Sequence, residues 1–432
     1  MRPALLGRLA ALGAFAALAV PVAAQANEVT NWNSIAQTTI LAQPPVASAP
    51  PASAVMMAMV QGSVYGAVNA IDRRHRPYLV NRRFPHASEE AAVATAAFRV
   101  LDGLFRAQHA ALQAQYDASL GGIPDGRSKA EGIEVGTLAA DAMLAGGHDG
   151  RGGPIPPLPP TGPGYWQPLI GPGGNPLLDP SPWVALAQPF LVRSASQFRT
   201  AGSNSLSSPA YADDVNETER LGALDSPFRM PEETHLAVFW QSNPLATLNG
   251  VARRLVDERG LDLTDSADLF GMLDLTTGDS QINCWNDKYY WGSWRPMAAI
   301  HGADQDGNPA TTADPSWLPL FVPTLDPAIA GVGPPLNTPP FPEHPSGHLC
   351  YTSAGAHALQ AFLGTEELTF YVTSSRFPVE RLYFNRLSDM TAQVLEARVW
   401  AGIHFRTADE QGALLGERVA RYVQQHYFQS LH

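Results

Sequence analysis

Three segments in the last third of the chain carry the residues most able to do chemistry. The first runs from Lys288 to Pro296, with Trp285 three positions ahead. Lys288 and Arg295 are seven positions apart. Seven steps of about 100° return to nearly the same azimuth, so on one helix both cations would leave one face about 10 Å apart. Pro296 disfavours helix at the residue before it, which puts Arg295 at a helix end. The second segment is Phe341-Pro-Glu-His-Pro-Ser346-Gly347-His348. Proline ahead of the Ala-rich run 352–363 marks a helix N-terminus, where free N–H groups and the dipole favour an anion. Gly347 lets an anion approach the backbone, Ser346 adds a hydroxyl donor, and His348 can exchange a proton near neutral pH.

The third segment is Arg398-Val-Trp-Ala-Gly402-Ile-His404. Six positions on a straight helix would leave Arg398 and His404 about 120° out of alignment. Gly402 suggests that the helix stops first, and Thr407-Ala-Asp-Glu410 reads as a capping box for the next one, leaving His404 in the link. One lysine, two arginines, a serine, a glycine at a helix start and two histidines suit a tetrahedral oxyanion: three fixed cations balance its charge and the guanidinium forks match adjacent oxygens. Each segment alone is weak. Their order and spacing raise the odds, with 48 residues (297–344) between the first two and 48 (349–396) between the second and Ala397-Arg398.

The elements that must position them read as mainly helical. Ala52–Ala70 is rich in small and apolar residues, and Ser88–His109 and Ile133–Leu144 show helical apolar spacing. A second helical series starts near Asn216 and continues through Glu232–Asn243 and Leu245–Leu255. Strand-like alternation is scarce. Pro- and Gly-rich stretches at 146–190 and 307–345 read as long loops, and residues 27–50 as an extended arm. The expectation is an all-α helical bundle in two regions, 27–215 and 216–432, the second carrying the site. The 432 residues hold 28 basic and 40 acidic side chains, net −12. That argues against nucleic acid or an anionic membrane surface as partner. Residues 1–26 have the build of an export signal: Arg2 and Arg8, an apolar run from Leu9 to Val20, then Ala24-Gln-Ala26. The expected location is periplasmic or secreted, with no membrane span after that run. Export would allow a Cys284–Cys350 disulfide; two buried free thiols are the alternative.

Taken jointly, Lys-x6-Arg-Pro, Pro-Ser-Gly-His and Arg-x5-His resemble the vanadium-dependent haloperoxidases, in the superfamily shared with the type-2 phosphatidic acid phosphatases, over residues 285–412. The length of chain ahead of the first motif tilts the resemblance toward the haloperoxidase branch. It implies vanadate as cofactor, with phosphate able to take the same place. His404 would bond vanadium, Lys288, Arg295 and Arg398 would neutralise the oxygens, and Ser346 and the Gly347 N–H would hydrogen-bond them. His348, with Lys288, would be catalytic as the acid–base residue, and Trp285 and Phe341 would line the halide side. Hydrogen peroxide, a halide and an organic acceptor are the implied partners, giving hypohalous acid. Assembly into a homo-oligomer is left open.

The chain departs from the family pattern twice. Ala397 stands where a serine usually precedes the arginine. Gln241-Ser-Asn243 follows Trp240 where an acidic brace for Arg398 is usual. The same pocket also suits an acid phosphatase working through a phosphohistidine at His404, with His348 protonating the leaving group. A third reading, from another class, is a non-catalytic periplasmic oxyanion-binding relative.

Overall fold

A computed structural model describes residues 27–170, 174–321 and 337–431. The export-signal expectation for 1–26 lies outside the described residues. Helices dominate: α1 (Glu28–Leu41), α2 (Pro45–Ser48), α3 (Pro50–Ile71), α4 (Glu89–Leu104), α5 (His109–Gly121) and α6 (Arg127–Ala145), then, after a long loop, α7 (Pro209–Gly222), α8 (Pro231–Phe239), α9 (Pro244–Arg259), α10 (Leu263–Trp291) and α11 (Pro296–His301). The chain closes with α12 (Gly347–Leu363), β1 (Glu367–Val372), β2 (Leu382–Arg386), α13 (Leu387–Trp400) and α14 (Arg406–His426). The two strands form one antiparallel ribbon with Phe370 opposite Phe384. The protein is all-α.

The arm expected at 27–50 is instead mostly helix. Asn27 caps α1 by accepting from the Val29 N–H, and Trp32, Ala36 and Ile40 recur every fourth residue and are buried. The prolines that suggested an extended chain stand in the first turns of α2 and α3, where a missing N–H is harmless. The helix expected to reach His109 stops at Leu104, where Phe105 leaves helical geometry at φ −135° and is itself buried. The expected regional boundary at 215/216 falls inside α7.

The axis of the molecule is α10, whose 29 residues span about 44 Å. It packs along α3 through small residues: a Cβ on Gly278 would meet the Ala58 Cβ at 2.6 Å, and one on Gly271 the Tyr65 Cβ at 2.7 Å. Contrary to the expectation that nothing after residue 26 could span a membrane, α3 is long and apolar enough by length and composition, but its apolar stretch is wholly buried inside the protein. It is the core helix, with no charged residue of its own.

The Pro/Gly-rich loop between α6 and α7 wraps α10 from Asp279 to its C-terminal end. Asp279 of α10 accepts backbone N–H bonds from Phe190, Leu191 and Val192 at 2.6, 2.8 and 2.9 Å. The Trp166 N–H donates to the Gly292 carbonyl at 2.8 Å. Asp179 accepts from Trp285 Nε1 at 2.9 Å and from the Tyr289 hydroxyl at 3.0 Å. The loop is therefore part of what holds the end of α10, and α12 packs against both α10 and α14 beside it.

Candidate active site

Lys288 lies in the last turn of α10, but Arg295 does not share its helix. The helix ends at Gly292 in the left-handed conformation (φ +61°), and Arg295 is extended (φ −82°, ψ 156°) ahead of Pro296. The single-face geometry expected from the seven-residue spacing is thus corrected. The effect of Pro296 on the residue before it holds, and a turn intervenes. The two cations still meet one pocket. Arg295 donates from Nε to the Phe341 carbonyl (3.0 Å) and from Nη1 to the Ile403 carbonyl (2.8 Å), tying the first segment to the second and third. The Lys288 ammonium donates to the carbonyls of Pro342, Glu343 and Pro345 at 3.1, 2.8 and 2.5 Å. All three of its protons are used on the second segment, so toward the pocket it acts as a fixed charge.

Ser346 is the N-cap of α12, and Gly347 and His348 open the helix. A Cβ on Gly347 would meet Trp285 Cζ3 at 2.8 Å, so the glycine lets the indole lie against the helix start. Trp285 and Phe341 pair at 5.1 Å between ring centroids, with the Lys288 ammonium 5.4 and 5.3 Å from those rings.

Arg398 occupies the last turn of α13 and His404 the link to α14. Gly402 sits at φ +71° and touches Gly222 at the end of α7. A Cβ on Gly402 would meet the Gly222 carbonyl oxygen at 2.4 Å, and one on Gly222 the Gly402 Cα at 2.5 Å. The capping box expected at Thr407–Glu410 does not form. Phe405 is the N-cap, while the Thr407 N–H donates to Asp214 at 3.1 Å and its hydroxyl accepts from Asn204 at 2.8 Å.

Two carboxyl groups of the site, Glu343 and Asp409, were not singled out from sequence, whereas Gln241 was noted in place of an acidic brace. Glu343 Oε1 lies 2.8 Å from His404 Nδ1 and accepts the Phe405 N–H at 3.1 Å. Asp409 is buried beside Ser346 and Arg398. Gln241 Oε1 accepts from Arg398 Nη1 at 3.2 Å, so an amide stands where an acidic brace was looked for. Glu343 lies inside the second segment, and its place two residues before Pro345 was the available signal.

Burial sets the electrostatics. It pulls the Lys288 ammonium down to about 8, with Arg295 adding to the fall and Cys284 and Glu343 opposing it. It pulls Arg295 down to about 9 against Glu343, and Arg398 to about 10 against Asp409. Glu343 is pushed up to about 7 by burial despite Arg295 and Lys288. His348 and His404 are driven well below the usual histidine range, first by burial and then by the surrounding cations. Three cations are thus held at a desolvation cost that an anion among them would offset.

Several polar atoms of the same groups are buried without a hydrogen-bond partner: Arg295 Nη2, Arg398 Nε, Ser346 Oγ and His348 Nε2. Native interiors leave few such atoms, and these four come from all three predicted segments, though others lie elsewhere in the protein. All nine residues expected at the site, Trp285, Lys288, Arg295, Phe341, Ser346, Gly347, His348, Arg398 and His404, lie at or around this one pocket. Behind Glu343 and His344 is a cavity of about 270 Å³ walled by Tyr211, Trp291, Trp294 and Phe405. Cys284 and Cys350 are free, buried thiols, and burial together with the neighbouring Cys284 thiol pushes Cys350 well up.

Residues 268–432 match a family model described as the VCPO second helical-bundle domain. The chain is 28% identical over 216 residues to a vanadium chloroperoxidase of Curvularia inaequalis, a match covering 42% of this chain and 33% of that protein. It thus spans about a third of the length of that relative. Over 96% of this chain and 100% of the other, the fold superposes on the crystal structure of a bacterial vanadium-dependent iodoperoxidase, with a TM-score of 0.74 at 19% identity. A holo-type bacterial vanadium-dependent chloroperoxidase gives 0.64 at 18% identity, over 90% and 95% of the two chains. Residues 268–432 thus match the VCPO second helical-bundle domain, within a chain that is similar in part to a vanadium chloroperoxidase and has the fold of the bacterial vanadium haloperoxidases.

Proposed function

We propose that the protein is a vanadate-dependent haloperoxidase that oxidises a halide with hydrogen peroxide to hypohalous acid. The observation that carries this reading is the set of unpartnered polar atoms from three segments, the donors Arg295 Nη2, Arg398 Nε and Ser346 Oγ and the ring nitrogen His348 Nε2, around an imidazole, that of His404, whose Nε2 lies 3.3 Å from Arg295 Nη1. Donor chemistry and net positive charge both fit a tetrahedral oxyanion, and a neutral imidazole fits a bond to its central atom. His404 would make that bond. Lys288, Arg295 and Arg398 would balance the oxygens, with Ser346 and the Gly347 N–H as hydrogen-bond donors. When bound, vanadate supplies a Lewis-acid centre that activates peroxide without changing oxidation state.

The chain's own part is electrostatic and protonic. The fixed cations are oriented before reaction, so they need no reorganisation during it. His348 would take a proton from peroxide at Nε2 and return one as water leaves. Burial keeps this imidazole neutral and therefore able to accept. Trp285 and Phe341 would form a low-polarity wall that strips water from an approaching halide.

The test soaks the purified protein with vanadate, measures bound vanadium, and assays chloride, bromide and iodide oxidation with a dye acceptor. Vanadium retained at one per chain with halide oxidation supports the reading; retained vanadium with no oxidation of any halide overturns it. A phosphatase is the second reading, favoured by a neutral His404 whose Nε2 is an acceptor. It requires phosphate-ester turnover that vanadate inhibits, with no halogenation.

A further inference from the structure

The tautomer of His404 is fixed from both sides of its ring. Arg295 Nη1 approaches Nε2 at 3.3 Å, and a guanidinium has no acceptor, so Nε2 carries a lone pair. On the other side, Glu343 Oε1 accepts the Phe405 N–H at 3.1 Å, which marks that oxygen as an acceptor. The Nδ1–H of His404 therefore donates to it across 2.8 Å. The carboxylate is anchored through its own backbone as well: the Glu343 N–H donates to the Ser293 carbonyl at 2.9 Å, and its carbonyl accepts from Lys288 at 2.8 Å. Asp409, the acid that follows His404 in sequence, lies instead beside Ser346 and Arg398.

We propose that Glu343 is the positioning residue of His404, holding Nδ1 protonated through its side-chain acceptor so that Nε2 presents a lone pair to the central atom of a bound oxyanion. The orienting carboxylate comes from the second segment, so the residue that aims the histidine travels with Ser346, Gly347 and His348. The proposal rests on reading His404 as the bonding histidine. Glu343 acts through His404 and has no assigned contact with the reacting atoms. Outer partners of this kind typically change affinity for the bound centre by about 10- to 100-fold when removed.

The experiment compares the full chain with Glu343→Leu and Glu343→Gln. It reads the ring ¹⁵N shifts of His404 in ¹⁵N-histidine-labelled protein, assigned with His404→Gln, and the affinity for inorganic vanadate by equilibrium dialysis. Wild type should show protonated Nδ1 and bare Nε2. Glu343→Leu should lose that signature and bind vanadate about 10- to 100-fold more weakly. Glu343→Gln keeps an acceptor oxygen and should retain the signature, with affinity within about fivefold of wild type. If Glu343→Leu unfolds, wild type and Glu343→Gln still decide the matter. A protonated Nε2 in wild type, or loss of the signature in Glu343→Gln, overturns the proposal, as does a folded Glu343→Leu with unchanged signature and affinity. A wild type with the expected tautomer but no vanadate binding would instead sink the haloperoxidase reading and leave the positioning role standing.

Discussion

The inner stretch of α10 and its C-terminal end both carry buried polar groups, yet they handle them differently. Along the inner stretch the helix lies against charge-free α3 with glycines in close contact, and Asp279 there is filled by three backbone N–H groups from the wrapping loop. At the far end, Lys288 joins Arg295 and Arg398 in a pocket whose donors include several without partners. Close packing stabilises the first region, where Asp279 is fully hydrogen-bonded and Asp274 keeps one bare oxygen. The second is stable only because the first, the loop and α12–α14 hold it, and its unspent donors are what an oxyanion would use. The difference teaches that burial alone does not mark a site; burial with unsatisfied, like-charged donors does.

Variants that break this contrast should differ in kind. His404→Ala should have the largest effect, with vanadate no longer retained and halide oxidation at the level of free vanadate, while the melting temperature stays near wild type; dialysis, a dye assay and calorimetry check this. His348→Ala should retain vanadate and lose about 10²- to 10⁴-fold in turnover, measured as kcat for halide oxidation. Asp274 tests the inner stretch, because its Oδ1 accepts from Asn249 at 2.9 Å while Oδ2 has no partner. Burial pushes it up to about 7 from an ordinary 3.8. A folded-state value above the unfolded one contributes stability that is whole below about pH 4 and is lost as pH rises through 7. Asp274→Asn should therefore make the decline in stability between pH 4 and 8 shallower, by up to about 4 kcal/mol at pH 8 in urea titrations.

Gly271→Leu should cost about 3 kcal/mol, since its Cβ already meets Tyr65 at 2.7 Å. It should lower the urea midpoint yet leave vanadate affinity unchanged wherever the protein remains folded. The smallest effect is expected from Gln241→Glu, which sets a carboxylate against Arg398 in place of the amide. Part of the pocket's positive charge would be spent, weakening vanadate binding by about tenfold, or ~1.4 kcal/mol, in the same dialysis assay.

Much of the pocket was legible in sequence because motif order survives folding. Lys288, Arg295, His348, Arg398 and His404 were named from residue types and spacing, and the Gly402 break and the Ser346 helix start held. What spacing could not give was whatever depends on the partner across space. Arg295 left the helix of Lys288 because Gly292 turned the chain. Thr407 was taken by Asp214 and Asn204 rather than serving as a cap. Glu343 came into play through His404, 61 positions away. The first helix was misread for a related reason: prolines signal an extended chain in isolation, and Trp32, Ala36 and Ile40 acquire their meaning only with a core to face.

At Gly222 and Gly402 two stretches of main chain touch with no side chain between them. The loop bearing the histidine is thereby seated against a distant helix by bare peptide, a joint that neighbouring rotamers cannot loosen or repair. Enlarging either member would leave nothing for the other to shed, so a descendant of this sequence should keep both glycines or give up both together with the seat they form.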